Sequence, residues 1–494
     1  MRRSIFLSFP ILVATLLTSV PLAVAAERKP NIIIVLADDL GYGDLGCFGS
    51  KHVLTPNLDQ MATEGMILTD FYSGATVCAP SRCVLMTGLH MGHCWVRGNS
   101  SGADKQTLQK GAISVPGELK KAGYATALFG KWGLGELGSV GHPMKHGFDD
   151  FYGYLNQRHA HNFYPEFIID QYQKVKLRNR YAPEWLAMRN QQKRGDDGAG
   201  WASAETKLDY VPDLVMERTY KWLEQKKGEP FFLYLALNMP HANNEATRGT
   251  GDGQEVPDYG PYANKDWPNP DKGQAAMITR MDGYVGEIIK RLKGWGIDEH
   301  TLILFTSDNG PHQEGGNNME FFNANGPVRG IKRDLTDGGI RVPTIARWPG
   351  TIPAGSRSSR PAYFGDVMAT TCEIAGAPVP DGRDSLSFLP TLKGEKNQLS
   401  APYLYWESYE KGGKQALRFG NWKAVREPWI GGEIQLYDVA KDIGESSDLA
   451  AENPDLVQQA AAYLEAAHVR SKNWTPPVPK KKKPSKPKKK PVTS

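Results

Sequence analysis

Pro30-Asn31-Ile32-Ile33-Ile34-Val35-Leu36-Ala37-Asp38-Asp39-Leu40-Gly41-Tyr42-Gly43 sets a short apolar run directly before two adjacent carboxylates. The run Ile32 to Leu36 is unbroken and rich in β-branched residues, which predicts a strand buried on both faces of a parallel sheet. Thr301-Leu302-Ile303-Leu304-Phe305-Thr306-Ser307 repeats the pattern and ends in Asp308-Asn309-Gly310. Ala125-Thr126-Ala127-Leu128-Phe129 runs into Gly130-Lys131-Trp132-Gly133-Leu134-Gly135, and Phe231 to Leu237 runs into Met239-Pro240-His241. Ligand sites in open α/β sheets lie at the carboxyl ends of strands. Strands that end in acidic, amide and basic groups therefore predict a shared site.

Three carboxylates and an amide carbonyl, from Asp38, Asp39, Asp308 and Asn309, suit calcium or magnesium better than zinc, which prefers nitrogen and sulfur. Each piece alone has a plainer reading. Asp-Asp after a strand caps a loop or helix, Asp-Asn-Gly makes a turn, and a lone cysteine is often a small buried hydrophobe. Their conjunction outweighs those readings. Between the two acidic strand ends stands Cys78-Ala79-Pro80-Ser81-Arg82, followed by Leu85, Thr87 and Gly88.

The pattern C-x-P-S-R-x-x-L-x-T-G resembles the signature of the type I sulfatases, within the alkaline phosphatase superfamily, of the arylsulfatase and N-acetylgalactosamine-6-sulfatase kind. The resemblance implies that a formylglycine-generating enzyme converts Cys78 to formylglycine, whose aldehyde hydrate is the nucleophile. It also implies that Asp38, Asp39, Asp308 and Asn309 bind a divalent ion, calcium or magnesium, with the modified Cys78 beside it. Arg82 holds the hydrated aldehyde, Lys131 and Lys332 contact the sulfate, and His241 assists departure of the leaving group. The chemistry needs such cations, because breaking the S–O bond moves charge onto the leaving oxygen and preorganised charges stabilise it. The fold implied is α/β: a large, mixed, mostly parallel central sheet sandwiched by helices. A smaller C-terminal α+β subdomain contains an antiparallel sheet.

One departure from the family bears on the mechanism. Many sulfatases carry Gly-Lys-Trp-His-Leu-Gly, in which the histidine helps eliminate sulfate; here that residue is Gly133. Gly133 makes room either for a bulkier sugar leaving group or for a substituting residue from another loop. His90, His142 and His146 are the candidate replacement bases nearby in sequence. Asp337 replaces a glutamate common before the later Gly-Gly, a milder change.

Met1-Arg2-Arg3, the apolar run Ile5 to Leu22 and Ala23-Val24-Ala25 read as a secretory signal peptide over residues 1–25. Secretion or a periplasmic location follows from cleavage; an uncleaved run would be an anchor. Residues 28–395 form the expected catalytic domain. Residues 396–474 form the second module, with strands around Tyr403–Glu407, Ala416–Val425 and Ile434–Asp438 and an amphipathic helix from Asn453. Residues 475–494 are a Lys/Pro-rich tail expected to be disordered. Its eight lysines exceed the chain's net charge of +5, so the remainder stands at −3 and basicity belongs to the tail. That tail is a solvated segment or a contact to an anionic envelope or sulfated polysaccharide; without aromatic interleaving, nucleic acid is no partner. Of five cysteines, Cys47, Cys83, Cys94 and Cys372 stay open as free thiols or up to two bridges.

Substrate choice is expected in the long polar region from Tyr152 to Pro270, where His159 and His161 either bind sugar or order the segment. A sulfated glycan is the expected substrate. A phosphonate monoester or phosphodiester hydrolase of the same superfamily, or a non-catalytic glycan-binding protein on the fold, are the alternatives.

Overall fold

Asn31–Ala37 is a strand whose seven residues are all buried. It lies parallel to Thr301–Ser307 on one side and to Phe231–Ala236 on the other. Such a strand must be apolar on both faces, and the two faces go to different cores. Ile32, Ile34 and Leu36 pack with Ala79, Val84 and Leu85. Ile33 and Val35 pack with Met277, Met281 and Val285 of the long helix Asn269–Gly294.

The computed structural model describes residues 28–99, 105–193, 195–396 and 398–478. The ten-stranded sheet runs Ser356–Ser358, Met66–Leu68, Ile345–Arg347, Thr301–Ser307, Asn31–Ala37, Phe231–Ala236, Ala125–Lys131, Asp150–Tyr154, Phe167–Asp170, Gln173–Lys176. The five strands from Thr301–Ser307 to Asp150–Tyr154 are parallel, with antiparallel pairings flanking them. The architecture is thus the expected mixed, mostly parallel sheet between helices. Four neighbouring parallel strands deliver their carboxyl ends to one edge of the sheet. Those ends carry Asp308, Asp38, His241 and Lys131.

The C-terminal sheet is antiparallel, Leu404–Ser408, Lys414–Phe419, Trp422–Arg426 and Ile434–Asp438 in order. One face buries Tyr405, Leu417 and Leu436 under Ala460, Leu464 and Ala467 of helix Pro454–Ala467. The other turns Trp406, Ala416 and Val425 into the main core, where Trp406 Nε1 donates to Ser73 O at 2.8 Å. Lys423 Nζ, fully buried, reaches Asp337 at 2.6 Å and Glu445 at 2.9 Å. Asp337 therefore joins the two sheets.

The polar region from Tyr152 is not one long loop. It holds the edge hairpin Phe167–Asp170 and Gln173–Lys176 and the helices Pro183–Gln191 and Val211–Lys226. The leader and the lysines of the tail lie outside the described residues. No helix among the described residues is long and apolar enough to cross a membrane.

Candidate functional site

The parallel pairing of the two central strands sets Ala37 opposite Ser307, so the next residues, Asp38 and Asp308, leave the sheet side by side. Asp308 N donates to Ala37 O at 3.0 Å, and Asp39 N donates to Asp308 Oδ1 at 3.2 Å. Asp39 turns with φ 66°, a left-handed conformation that costs an ordinary residue about 1–2 kcal/mol and that Asp tolerates better than most. Asn309 Nδ2 donates to Asp39 Oδ1 at 2.6 Å and to Gly310 O at 2.9 Å. Its carbonyl Oδ1 is buried and has no hydrogen-bond partner.

Cys78 opens helix Cys78–Thr87, every residue of which is buried. Its Sγ lies 3.3 Å from Asp38 Oδ1. One turn on, Arg82 donates from Nε and Nη2 to Asp308 Oδ2 at 3.0 and 2.7 Å, and from Nη1 to Lys131 O at 2.6 Å. Lys131 Nζ reaches Asp38 Oδ2 at 2.5 Å. Lys332 Nζ donates to Asp39 Oδ2 at 2.7 Å and to His241 Nε2 at 3.1 Å. His241 Nδ1 faces the Ala242 carbonyl at 2.7 Å and must donate there, which leaves Nε2 as the acceptor when the ring is neutral. Nine residues expected at the site from sequence thus meet in one buried cluster.

Residues 30–377 match the sulfatase family profile. The chain belongs to the sulfatase family. It is 32% identical over 428 residues to mouse (Mus musculus) N-acetylgalactosamine-6-sulfatase, covering 83% of this chain and 74% of that one. The N-acetylgalactosamine-6-O-sulfatase of Bacteroides thetaiotaomicron is 27% identical over 512 residues, covering 90% and 94%. Among solved structures, Ps i-CgsB in complex with k-i-k-neocarrahexaose superposes with TM-score 0.72 at 28% identity, over 89% of this chain and 92% of that one. Placement in the alkaline phosphatase superfamily and hydrolysis of sulfate esters follow.

In this sulfatase the charges of the cluster balance. Asp38, Asp39 and Asp308 face Arg82, Lys131 and Lys332, and all six side chains are almost fully buried. Burial alone would raise Asp38, but the Lys131 and Arg82 cations more than offset it and hold the carboxyl well below its usual range. Burial and the Asp38 charge push Asp308 up to about 7. Burial, then Lys332, holds the His241 ring well below the usual imidazole range, so the ring rests neutral. A divalent cation beside the carboxylates would leave the cluster positive and receptive to an anionic ester.

The oxygen donors fit such an ion. Asp38, Asp39, Asp308 and Asn309 are all fully buried, and the orphaned Asn309 Oδ1 is an acceptor that burial makes costly to leave unpaired. Cys78 and His241 also approach the aspartates closely enough for metal ligation.

Three groups that sequence reading did not select complete the surroundings. Glu314 accepts from Lys332 at 3.4 Å and from Arg333 at 2.6 Å, and His312 stacks on His241 with centroids 5.7 Å apart. Both follow the Asp308-Asn309 strand end by a few residues, the signal that could have found them. Glu245 accepts from His161 Nδ1 at 3.0 Å and from Arg158 at 3.1 Å; nothing in its local sequence marks it.

His161 stacks on His241, with centroids 4.7 Å apart and planes at 13°, and so borders the cluster. His159 does not. It is 2% exposed, its Nε2 faces Phe167 O at 2.9 Å, and its ring packs against Tyr154. Burial lowers its pKa to about 4. The expected contact of His159 with substrate is therefore corrected: the ring orders the segment.

The replacement bases suggested for Gly133 are corrected too. His142 Nε2 faces Gln171 O at 2.9 Å and its ring stacks on Tyr172. His146 Nε2 faces Val140 O at 3.0 Å, and His90 packs on His93 beside Asp384. Instead a Cβ at Gly133 would fall 2.0 Å from Gln157 Nε2. A residue from another loop, glutamine rather than histidine, fills the space.

Proposed function

We propose that this sulfatase is a formylglycine- and divalent-metal-dependent enzyme that removes sulfate from a sulfated carbohydrate. The observation that carries this reading is Cys78 at a helix start, set among three carboxylates, three cations and a neutral histidine. Burial, then the Asp38 charge, pushes the Cys78 thiol well above its usual range. A thiol so held stays protonated and is a poor nucleophile. Conversion to formylglycine supplies an oxygen nucleophile in its place, by the action of a formylglycine-generating enzyme.

The oxygen donors of Asp38, Asp39, Asp308 and Asn309 would hold calcium or magnesium, which acts when bound as a Lewis acid toward a sulfuryl oxygen. Arg82, locked to Asp308 and to the Lys131 carbonyl, fixes the helix start against the strand ends. Lys131 and Lys332 hold the charge of the ester sulfate and stabilise its growth along the S–O bond. His241 is set to assist departure of the leaving oxygen, its neutral Nε2 held by the Lys332 ammonium. Preorganisation comes from burial: these charges are already aligned before substrate arrives.

The carbohydrate class is supported by relatives named N-acetylgalactosamine-6-sulfatase and N-acetylgalactosamine-6-O-sulfatase and by the k-i-k-neocarrahexaose complex of a structural neighbour. Export through the leader, and contact of the lysine tail with an anionic envelope or polysaccharide, belong to the same reading. Release of inorganic sulfate from 6-sulfated galactose or N-acetylgalactosamine, or from carrageenan and chondroitin digests, tests it. Wild-type protein should release sulfate, and Cys78→Ala should lose at least about 10³-fold of that rate. A faster rate on bis(p-nitrophenyl) phosphate than on every sulfate ester would favour the phosphodiesterase alternative.

A further inference from the structure

Gly133, Glu136, Asn156, Gln157, Arg158 and Asp197 help to line a cavity of about 210 Å³. That is about seven waters' share of liquid volume, the scale of one sugar ring. Gln157 is 8% exposed, yet neither its Oε1 nor its Nε2 has a hydrogen-bond partner. A buried amide left unpaired costs about 1–3 kcal/mol for each group, so an unpaired glutamine lining a cavity marks a place where a ligand supplies the partners. Gln157 occupies the space that any side chain at residue 133 would take.

We propose that this cavity is a subsite for the sugar ring bearing the scissile sulfate, and that Gln157 recognises two neighbouring uncharged hydroxyls on it. The proposal deepens the sulfatase reading above and rests on it. The amide presents an acceptor and a donor side by side, which matches a vicinal diol in which one hydroxyl donates and the other accepts.

The charges argue against a second sulfate or a carboxylate here. Arg158 is the cation named in the lining, and it is already committed to Asp197 at 2.7 Å and Glu245 at 3.1 Å. Glu136 accepts from Asn156 Nδ2 at 2.6 Å and, pushed up by burial, adds no positive charge. The position also fits. Gly133 follows Lys131 by two residues, and from Arg158 the contacts run through Glu245 and His161 to His241. Glu245 and His161 thus link a lining residue of the cavity to His241, the histidine proposed above to serve the leaving oxygen. Glutamine thus takes the place of a histidine and turns it from proton transfer to recognition.

The test compares the full-length, matured protein with Gln157→Ala and Gln157→Leu on 4-methylumbelliferyl sulfate, which has no sugar hydroxyls, and on 6-sulfated galactose and N-acetylgalactosamine. The loss in kcat/KM on the best sugar sulfate should exceed that on the aryl sulfate by about 10-fold or more, on the scale of two lost hydrogen bonds. Wild-type protein with deoxy analogues of that sugar, each lacking one hydroxyl, gives the same answer without a variant: at least one analogue should lose about 5-fold or more in kcat/KM. Equal losses on both substrate classes, or wild-type protein that cleaves the aryl sulfate and no sugar sulfate, would overturn the subsite. So would a preference of at least 10-fold for a disulfated over a monosulfated sugar. Failure of the wild-type protein on every sulfate ester would instead overturn the sulfatase reading beneath it.

Discussion

Substituting Gly133 perturbs the site at its point of departure from the family. The backbone there has φ +79°, which costs a non-glycine residue about 1–2 kcal/mol. An added Cβ would also lie 2.0 Å from Gln157 Nε2 and 2.8 Å from its Cδ. Ordinary contact between such atoms begins near 3.5 Å, so the amide must retreat by roughly 1.5 Å. The adjoining cavity gives it somewhere to go, so Gly133→Ala should fold, less stable by about 1–3 kcal/mol. Misplacing a positioning group by an ångström costs up to about 10²-fold in rate, and kcat/KM of Gly133→Ala on a sulfated sugar should fall by about 10- to 100-fold. Gly133→His, which restores the family residue, should fall at least as far, because the imidazole needs the volume that Gln157 fills. The assay is a cycle of Gly133→Ala, Gln157→Ala and the double variant, with melting temperature and kcat/KM measured on each. If the collision with Gln157 is the cause, the Gly133→Ala loss shrinks by about 1 kcal/mol or more in the Gln157→Ala background. Strictly additive losses, or a gain in turnover for Gly133→His, would refute the reasoning.

Chelation should abolish sulfate release, and calcium or magnesium should restore it; stoichiometric zinc with neither of those ions in purified protein would contradict the oxygen-donor site. Asp308→Ala should melt cooperatively yet retain under about 1% of activity, measured by sulfate release alongside thermal unfolding. His159, held at about 4 in the fold against an ordinary 6.5, favours the native state fully above pH 6.5 and loses that contribution as pH falls toward 4. The loss amounts to about 3 kcal/mol at most, so His159→Gln should show a shallower fall in melting temperature between pH 7 and 5 than wild type; parallel falls would contradict the buried, neutral ring.

Much of the site was legible because its residues stand at the ends of strands. Ile32 to Leu36 and Leu302 to Phe305 announce buried parallel strands through their apolar runs, and the register of those strands fixes where Asp38 and Asp308 go. Lys131 and His241 follow by the same logic, since their strands are the next two beyond Asn31–Ala37 in the same parallel array. Cys78 and Arg82 needed only their own motif and one helical turn. Gln157 and Glu245 were not legible, because each acts through a contact that no local pattern encodes. Gln157 meets Gly133 across 24 positions of chain, and Glu245 meets Arg158 across 87. The histidines proposed near Gly133 illustrate the same limit: though close to it along the chain, His142 and His146 turn to the backbone carbonyls of Gln171 and Val140 rather than to the site. His159 and His161 differ by two residues in one short helical turn, which points one ring into the core and the other toward His241.

The mass of the tryptic peptide that contains Cys78, taken from protein active on sulfate esters, tests the central claim most directly. The account predicts a peptide that has lost sulfur and gained a carbonyl oxygen, and that reacts with hydrazide reagents as an aldehyde. An intact cysteine thiol in protein that turns over sulfate esters at full rate would contradict it.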